Sequence, residues 1–163
     1  MKRRDCLAAL AGTALVARTH AQVVGTPIEW PVIELLDGTT LAPSAWHGMA
    51  AVVVFWATYC AFCKRHNAHV DKLYRAARGQ PVRILTLAED SNADLVRQHM
   101  RSHGYGFPVA LSDGVLRRRM TTRRIIPMTC VVDRDGRLRQ AIPGEMSEED
   151  VMGLAQAALR LPR

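Results

Sequence analysis

Phe55-Trp56-Ala57-Thr58-Tyr59-Cys60-Ala61-Phe62-Cys63-Lys64 is the stretch whose reading decides the fold. Ahead of it Ala50 to Val54 form an apolar, β-branched run that reads as a buried central strand. Behind it Val70, Leu73, Tyr74 and Ala77 recur at three-and-four spacing. Lys64, Arg65, Asp71, Lys72 and Arg75 fall on the other side, which predicts an amphipathic helix. The two cysteines therefore lie where a strand hands over to a helix. Unpaired backbone N–H groups and the helix dipole at that point favour a thiolate at Cys60. Cys63, three residues on, is placed to close a disulfide after Cys60 has formed a mixed disulfide with a partner. A Cys-x-x-Cys also serves as half of a zinc site, but a buried strand and an aromatic pair before it favour redox chemistry.

Outward from this stretch, strands and helices alternate. Ile33 to Leu36 and Thr39 to Leu41 read as a hairpin across Asp37-Gly38, and Ser44 to Gly48 as a short helical turn. Gly79 and Pro81 end the first helix, and Val82 to Leu87 is a second buried strand. Ser91 or Asn92 caps a helix through His103 that Gly104 stops. Phe107 to Leu111 reads as a short strand and Gly114 to Met120 as a short arginine-rich helix. Thr129 to Val132 pairs with Leu138 to Ile142 across Asp135-Gly136, and Ser147 with Asp150 forms a capping box for a last helix to about Leu161. This order predicts an α/β domain with a mixed central sheet and helices on both faces.

The chain has 163 residues, one domain's worth, and a formal net charge of +7. Lys2, Arg3, Arg4 and Arg18 supply part of that excess, and what remains is too mild to argue for nucleic acid. Residues 1–21 read as an export signal. Lys2-Arg3-Arg4 is the basic region, Cys6 to Ala17 the apolar region, and Thr19-His20-Ala21 a cleavage site. The apolar run is shorter than the ~20 residues that span a bilayer. Arg3-Arg4-Asp5-Cys6-Leu7 is similar to a twin-arginine signal. The expectation is a periplasmic or other extracytoplasmic protein, with the leader either cleaved or kept as a membrane anchor. Residues 22–30 read as a mobile linker and 31–163 as the domain. In an oxidising compartment a dithiol either is kept reduced by a dedicated donor or works as an oxidant.

Phe55 to Cys63 resembles the active-site segment of thioredoxin-fold proteins, specifically the exported thiol–disulfide oxidoreductases of the TlpA/ResA type. Ile126-Pro127-Met128-Thr129, followed by Val131-Val132-Asp133-Arg134-Asp135-Gly136, resembles that family's cis-proline loop, strand and hairpin. The likeness runs from about Pro31 to the C-terminus. It implies a thioredoxin-like fold with an N-terminal hairpin and an inserted strand–helix at Phe107 to Met120. It also implies reduction of client disulfides, with apocytochrome and copper-site cysteines among the family's clients and cytochrome c biogenesis among its settings. The implied partners are client proteins with disulfides or thiols and a membrane or exported electron donor, with no cofactor.

On this reading Cys60 is the nucleophile and Cys63 the resolving thiol, the pair forming the redox-active disulfide. Pro127 follows a cis bond and holds a substrate groove open beside Cys60. Trp56, Tyr59, Ile126 and Met128 line that groove. Ile125 and Met128 depart from the glycine and threonine usual around this proline, and Ala68 from a helix-kinking proline. Val54 stands where thioredoxins keep a buried carboxylate. His66, one turn after Cys63, is therefore the candidate proton acceptor for Cys63, against the plainer reading of a packing residue. Arg117, Arg118, Arg119, Arg123 and Arg124 read either as a solvated face or as a docking rim for an acidic partner. Cys130 reads as an inert core thiol. The alternative function is a metal-binding or metallochaperone module using Cys60, Cys63 and His66, with His69 at the next three-residue step but off that face.

Overall fold

In the computed structural model, which describes residues 24–160, the expected hairpin forms as β1 (Ile33–Glu34) paired antiparallel with β2 (Thr40–Leu41). A short 3-10 turn, Pro43–Trp46, leads into β3 (Ala50–Trp56), every residue of which is buried. There follow α1 (Ala61–Ala76), β4 (Val82–Ala88), α2 (Ala93–His103), β5 (Val109–Leu111) and α3 (Val115–Met120). β6 (Met128–Val132), β7 (Leu138–Pro143) and α4 (Glu148–Arg160) complete the chain. The export signal expected over 1–21 lies outside the described residues.

The five-stranded sheet has the order β5-β4-β3-β6-β7, with β3, β4 and β5 parallel and β6 and β7 antiparallel. β3 is central, which is why it lacks the polar alternation of a strand with one wet face. Its alternate residues feed two cores. Ala50, Val52, Val54 and Trp56 pack with Cys63, Val70 and Leu73 of α1, Val96 and Met100 of α2, and Val151, Leu154, Ala155 and Ala158 of α4. Ala51, Val53 and Phe55 pack with Leu116 and Met120 of α3 and with Ile33, Leu35 and Trp46 of the hairpin region. Helices thus cover both faces, and the inserted β5–α3 unit supplies the second.

The helix boundaries follow the expected chemistry. Asn92 Oδ1 accepts from the N–H groups of Asp94 (2.9 Å) and Leu95 (3.3 Å), and Gly104 closes α2 at φ 66°, a conformation that L side chains rarely adopt. Ser147 Oγ accepts from the Asp150 N–H at 3.1 Å and donates to the Asp150 carboxylate at 2.8 Å, so α4 begins at the expected box.

The lead segment departs from expectation. Residues 25–28, read as part of a mobile linker, are hydrogen-bonded to the start of β7 and the turn that leads into it. The Gly25 N–H donates to Leu138 O at 2.6 Å, the Leu138 N–H to Thr26 O at 2.9 Å, and the Ile28 N–H to Gly136 O at 2.8 Å. Trp30 then stacks on Trp46 with ring centroids 3.8 Å apart. An edge strand presents a row of unpaired backbone groups, and these residues pair with its first residue, Leu138, and with Gly136 ahead of it. The folded unit therefore begins ahead of Pro31.

Candidate active site

The site grows from the C-terminal end of β3. The Cys60 N–H donates to Ala57 O at 3.2 Å, which turns the chain out of the sheet. Asp90, just past β4, holds that turn. Its carboxylate accepts both the backbone N–H of Thr58, at 3.0 Å, and the Thr58 hydroxyl. Cys60 is then the N-cap of α1, with φ −93° and ψ 110°, and its Sγ accepts the Cys63 N–H at 3.1 Å. A cap position normally takes a side-chain oxygen. A sulfur there meets the same unpaired N–H group and the positive end of the helix dipole, both of which favour the thiolate.

Cys60 and Cys63 form a disulfide with Cα atoms 5.2 Å apart. Cys60 is half-buried, whereas Cys63 is fully buried in the core with Val54 and Val70. Only one of the two sulfurs is therefore open to a macromolecular partner. Ile126–Pro127 is cis, and Ile126 O lies 3.9 Å from Cys60 Sγ. The structure thus brings together Cys60, Cys63, Ile126 and Pro127, residues 63 or more apart in sequence across the two segments.

Two residues assigned to the groove do not reach it. Trp56 and Met128 are both 0% exposed. Trp56 is the last residue of β3 on the α1 face, where it meets Phe107 edge-on and the His99 ring. Met128 is directed into the opposite core. The exposed apolar side chains of the segments that carry Cys60 and Ile126 are Tyr59, Phe62 and Ile125, at 76%, 59% and 51% exposure. Phe62 and Ile125 were not singled out for this, yet Phe62 sits on the first turn of an amphipathic helix, away from its apolar stripe.

His66 is also placed differently from the expected proton acceptor. It is fully buried. The Met146 N–H donates to its Nδ1 at 3.3 Å, and its Nε2 lies 3.0 Å from Thr129 Oγ1. With Nδ1 accepting, the neutral ring carries its proton on Nε2 and donates to Thr129. Both nitrogens are thus engaged, in a bridge from α1 to β6 and to the turn before α4. Burial, then the charge of His69, pushes its pKa down to about 4, with Glu145 acting weakly the other way. So the ring is neutral at ordinary pH and a poor base. The metal reading meets the same obstacle. The two cysteines are paired, His66 is occupied, and among the described residues no group of three or more His, Cys, Asp or Glu is placed to hold a metal ion.

The arginine cluster divides. Arg117, expected on a solvated or docking face, is buried with its guanidinium over the Phe55 ring, 5.2 Å from the centroid. It donates to Glu89 Oε1 at 2.8 Å, to Arg123 O at 2.7 Å and to Ile125 O at 2.9 Å. One side chain of α3 therefore ties the end of β4 to the loop that carries Ile126. Arg119 is held by Glu29, through its backbone carbonyl and its carboxylate. Cys130 is buried, and desolvation pushes its pKa up to about 12 against the opposing pull of Arg117. That agrees with an inert core thiol.

A model of the Redoxin family matches residues 24–157. Among curated proteins, the chain is 25% identical over 125 residues to the thiol-disulfide oxidoreductase ResA of Bacillus cereus, covering 77% of this chain and 72% of that one. It is 27% identical over 120 residues to ResA of Halalkalibacterium halodurans, with coverage of 74% and 68%. Among solved structures, a thiol:disulfide interchange protein of the thioredoxin family from Chlorobium tepidum superposes with TM-score 0.76 at 22% identity, covering 85% of this chain and 99% of that one. StoA from Bacillus subtilis gives 0.68 at 19% identity, with 79% and 98% covered. At those identities the structures bear on the fold, which is thioredoxin-like.

Two outcomes follow from the buried groups. A base whose pKa is lowered on folding leaves the unfolded chain to bind its proton first, so stability falls as pH drops from 6.5 towards 4. At about 1.4 kcal/mol per pH unit, His66 accounts for roughly 2 kcal/mol of loss between pH 7 and pH 5. Glu145 and Glu148, held below the usual carboxylate range by Arg65 and Lys72, stay ionised over that interval. His66→Gln should flatten the fall of the urea midpoint from pH 7 to pH 5; an unchanged fall contradicts this account. Iodoacetamide at pH 8 should label reduced Cys60 at least about tenfold faster than Cys130, with Cys130 labelled only after denaturation. Mass spectrometry of timed samples checks the order.

Proposed function

The chain belongs to the Redoxin family, and on that premise we propose that it is an exported thiol–disulfide oxidoreductase that reduces disulfides of client proteins outside the cytoplasm. The observation that carries this reading is the asymmetry of the sulfur pair: a half-buried Cys60 at a helix N-terminus, bonded to a buried Cys63, beside the Ile126 backbone. The curated relatives named thiol-disulfide oxidoreductase ResA, and the secreted disulfide oxidoreductase of Mycobacterium tuberculosis among the structural neighbours, support it.

In the reducing direction Cys60 thiolate attacks one sulfur of the client disulfide, and the client's other sulfur leaves as a thiolate. Cys63 then attacks Cys60 Sγ, forming the internal disulfide and releasing the second client thiol. Two electrons pass from the protein dithiol to the client, and an exported or membrane-bound donor returns them. Burial keeps Cys63 from attacking clients itself, so the roles of the two cysteines are set by depth. The Ile126 main chain flanks Cys60, and an extended client segment is held there by backbone hydrogen bonds. His66 serves as a positioning residue, joining α1 to Thr129 behind the disulfide. Asp90 and Arg117 position the two loops that meet at Cys60.

Cys60→Ser should abolish reduction of a model disulfide, whereas Cys63→Ser should still attack and accumulate a mixed disulfide visible on a non-reducing gel. Exchange persisting in Cys60→Ser would overturn the mechanism. Residues 1–21, fused to a reporter active only outside the cytoplasm, should direct its export. Changing Arg3 and Arg4 to lysine should block that export where the twin-arginine route carries it; a reporter retained in the cytoplasm contradicts the location.

A further inference from the structure

Beside the Ile125–Pro127 loop lies an open basin of about 700 Å³. Its walls carry Arg118, Arg123 and Arg124, all exposed, with Ser112, Gly114 and Thr122 between them. Unlike Arg117 and Arg119, these three guanidinium groups have no hydrogen-bond or ion-pair acceptor among the described residues. The two carboxylates at the basin are already engaged. Glu89 accepts from Arg117 at 2.8 Å, and Asp113 accepts the Val115 N–H at 2.8 Å. Arg118 is folded over Gly114, so close that a Cβ there would meet its Nη1 at 2.8 Å. Four arginines against two carboxylates, Glu89 and the exposed Asp113, leave the basin a net positive charge of about two, with Arg118, Arg123 and Arg124 unpaired among the described residues, next to the backbone that flanks Cys60.

We propose that this basin is a specificity site, which docks an acidic side chain of the client within a few residues of the cysteine that Cys60 attacks. The proposal rests on the oxidoreductase reading. Arg124 is two residues from Ile126, so their Cα atoms are at most about 7.6 Å apart. A client strand advances about 3.3 Å per residue. A carboxylate two to five positions from the client cysteine therefore reaches the basin while that cysteine's sulfur meets Cys60. Tyr59, Phe62 and Ile125 take the apolar contacts around the sulfur, and the arginines fix which end of the client lies toward them. Arginine forks receive carboxylates in paired hydrogen bonds, which adds geometry to charge.

The test uses single-cysteine peptides carried as mixed disulfides with 2-mercaptoethanol, with glutamate, glutamine or lysine placed two to five residues before or after the cysteine. The second-order rate of attack by the reduced protein is measured for each. The glutamate peptide should react about tenfold faster than the lysine peptide at low salt. The difference should shrink between about 0.01 M and 1 M salt, as the screening length falls from about 30 Å to about 3 Å. Arg118→Glu, Arg123→Glu and Arg124→Glu together should reverse the preference. Exchange with hydroxyethyl disulfide, which is neutral and too small to span from Cys60 to the basin, should keep its rate in that variant. Exchange of hydroxyethyl disulfide with no discrimination among the peptides overturns the docking site alone. Failure of the native protein to exchange hydroxyethyl disulfide overturns the oxidoreductase reading and the docking site with it.

Discussion

The contact on which the rest of the structure depends is the hydrogen bond from the Cys63 N–H to Cys60 Sγ at 3.1 Å. It places a sulfur in the cap position of a sixteen-residue helix, where backbone N–H groups lack partners. The stabilisation it offers the thiolate needs no neighbouring cation, and Ala61 and Phe62 between the cysteines supply none. The cap exists because β3 must leave the sheet where α1 begins. Everything that holds β3 central therefore also holds the reactive sulfur in place.

Two polar latches bring the second half of the site to the first. Asp90 binds the Thr58 turn from the end of β4, and Arg117 binds the Arg123–Ile125 loop from α3 while bonding Glu89 on that same end of β4. The two adjacent acids, Glu89 and Asp90, thus hold opposite walls of the cleft. A buried guanidinium is costly unless its donors are paired, and Arg117 meets this with one carboxylate and two carbonyls. His66 is a third such group. Its place beneath the disulfide follows from the helical step that buries Cys63, and its two hydrogen bonds make it a strut between layers.

The inserted β5–α3 unit has a double role. Its inner face, Leu116 and Met120, closes the second core. Its outer side lends Arg118 to the rim of the cleft. A segment that completes the fold in this way also shapes the surface that a client meets, so partner choice and packing draw on the same short helix.

The sequence by itself determined the order of elements, the helix caps at Asn92 and Ser147, the strand–Cys-x-x-Cys–helix junction and the buried state of Cys130, because each is written in local periodicity or in one residue's chemistry. It also showed Cys60 as the cap and Pro127 as the partner loop, through two motifs with strong local signatures. Only the tertiary structure decided which side chains face the cleft. Trp56 and Met128 lie within the right segments but point into the two cores, since a strand alternates sides at every residue. His66 lost its freedom to Thr129 and Met146, which are 63 and 80 residues away. Arg117 was separated from Arg118 by one helical step, one buried and one exposed. Residues 25–28 carry no strand pattern, and backbone bonds to Gly136 and Leu138 with burial of Ile28 in the second core made them part of the fold. In each case the deciding partner lies far along the chain, where no local pattern records it.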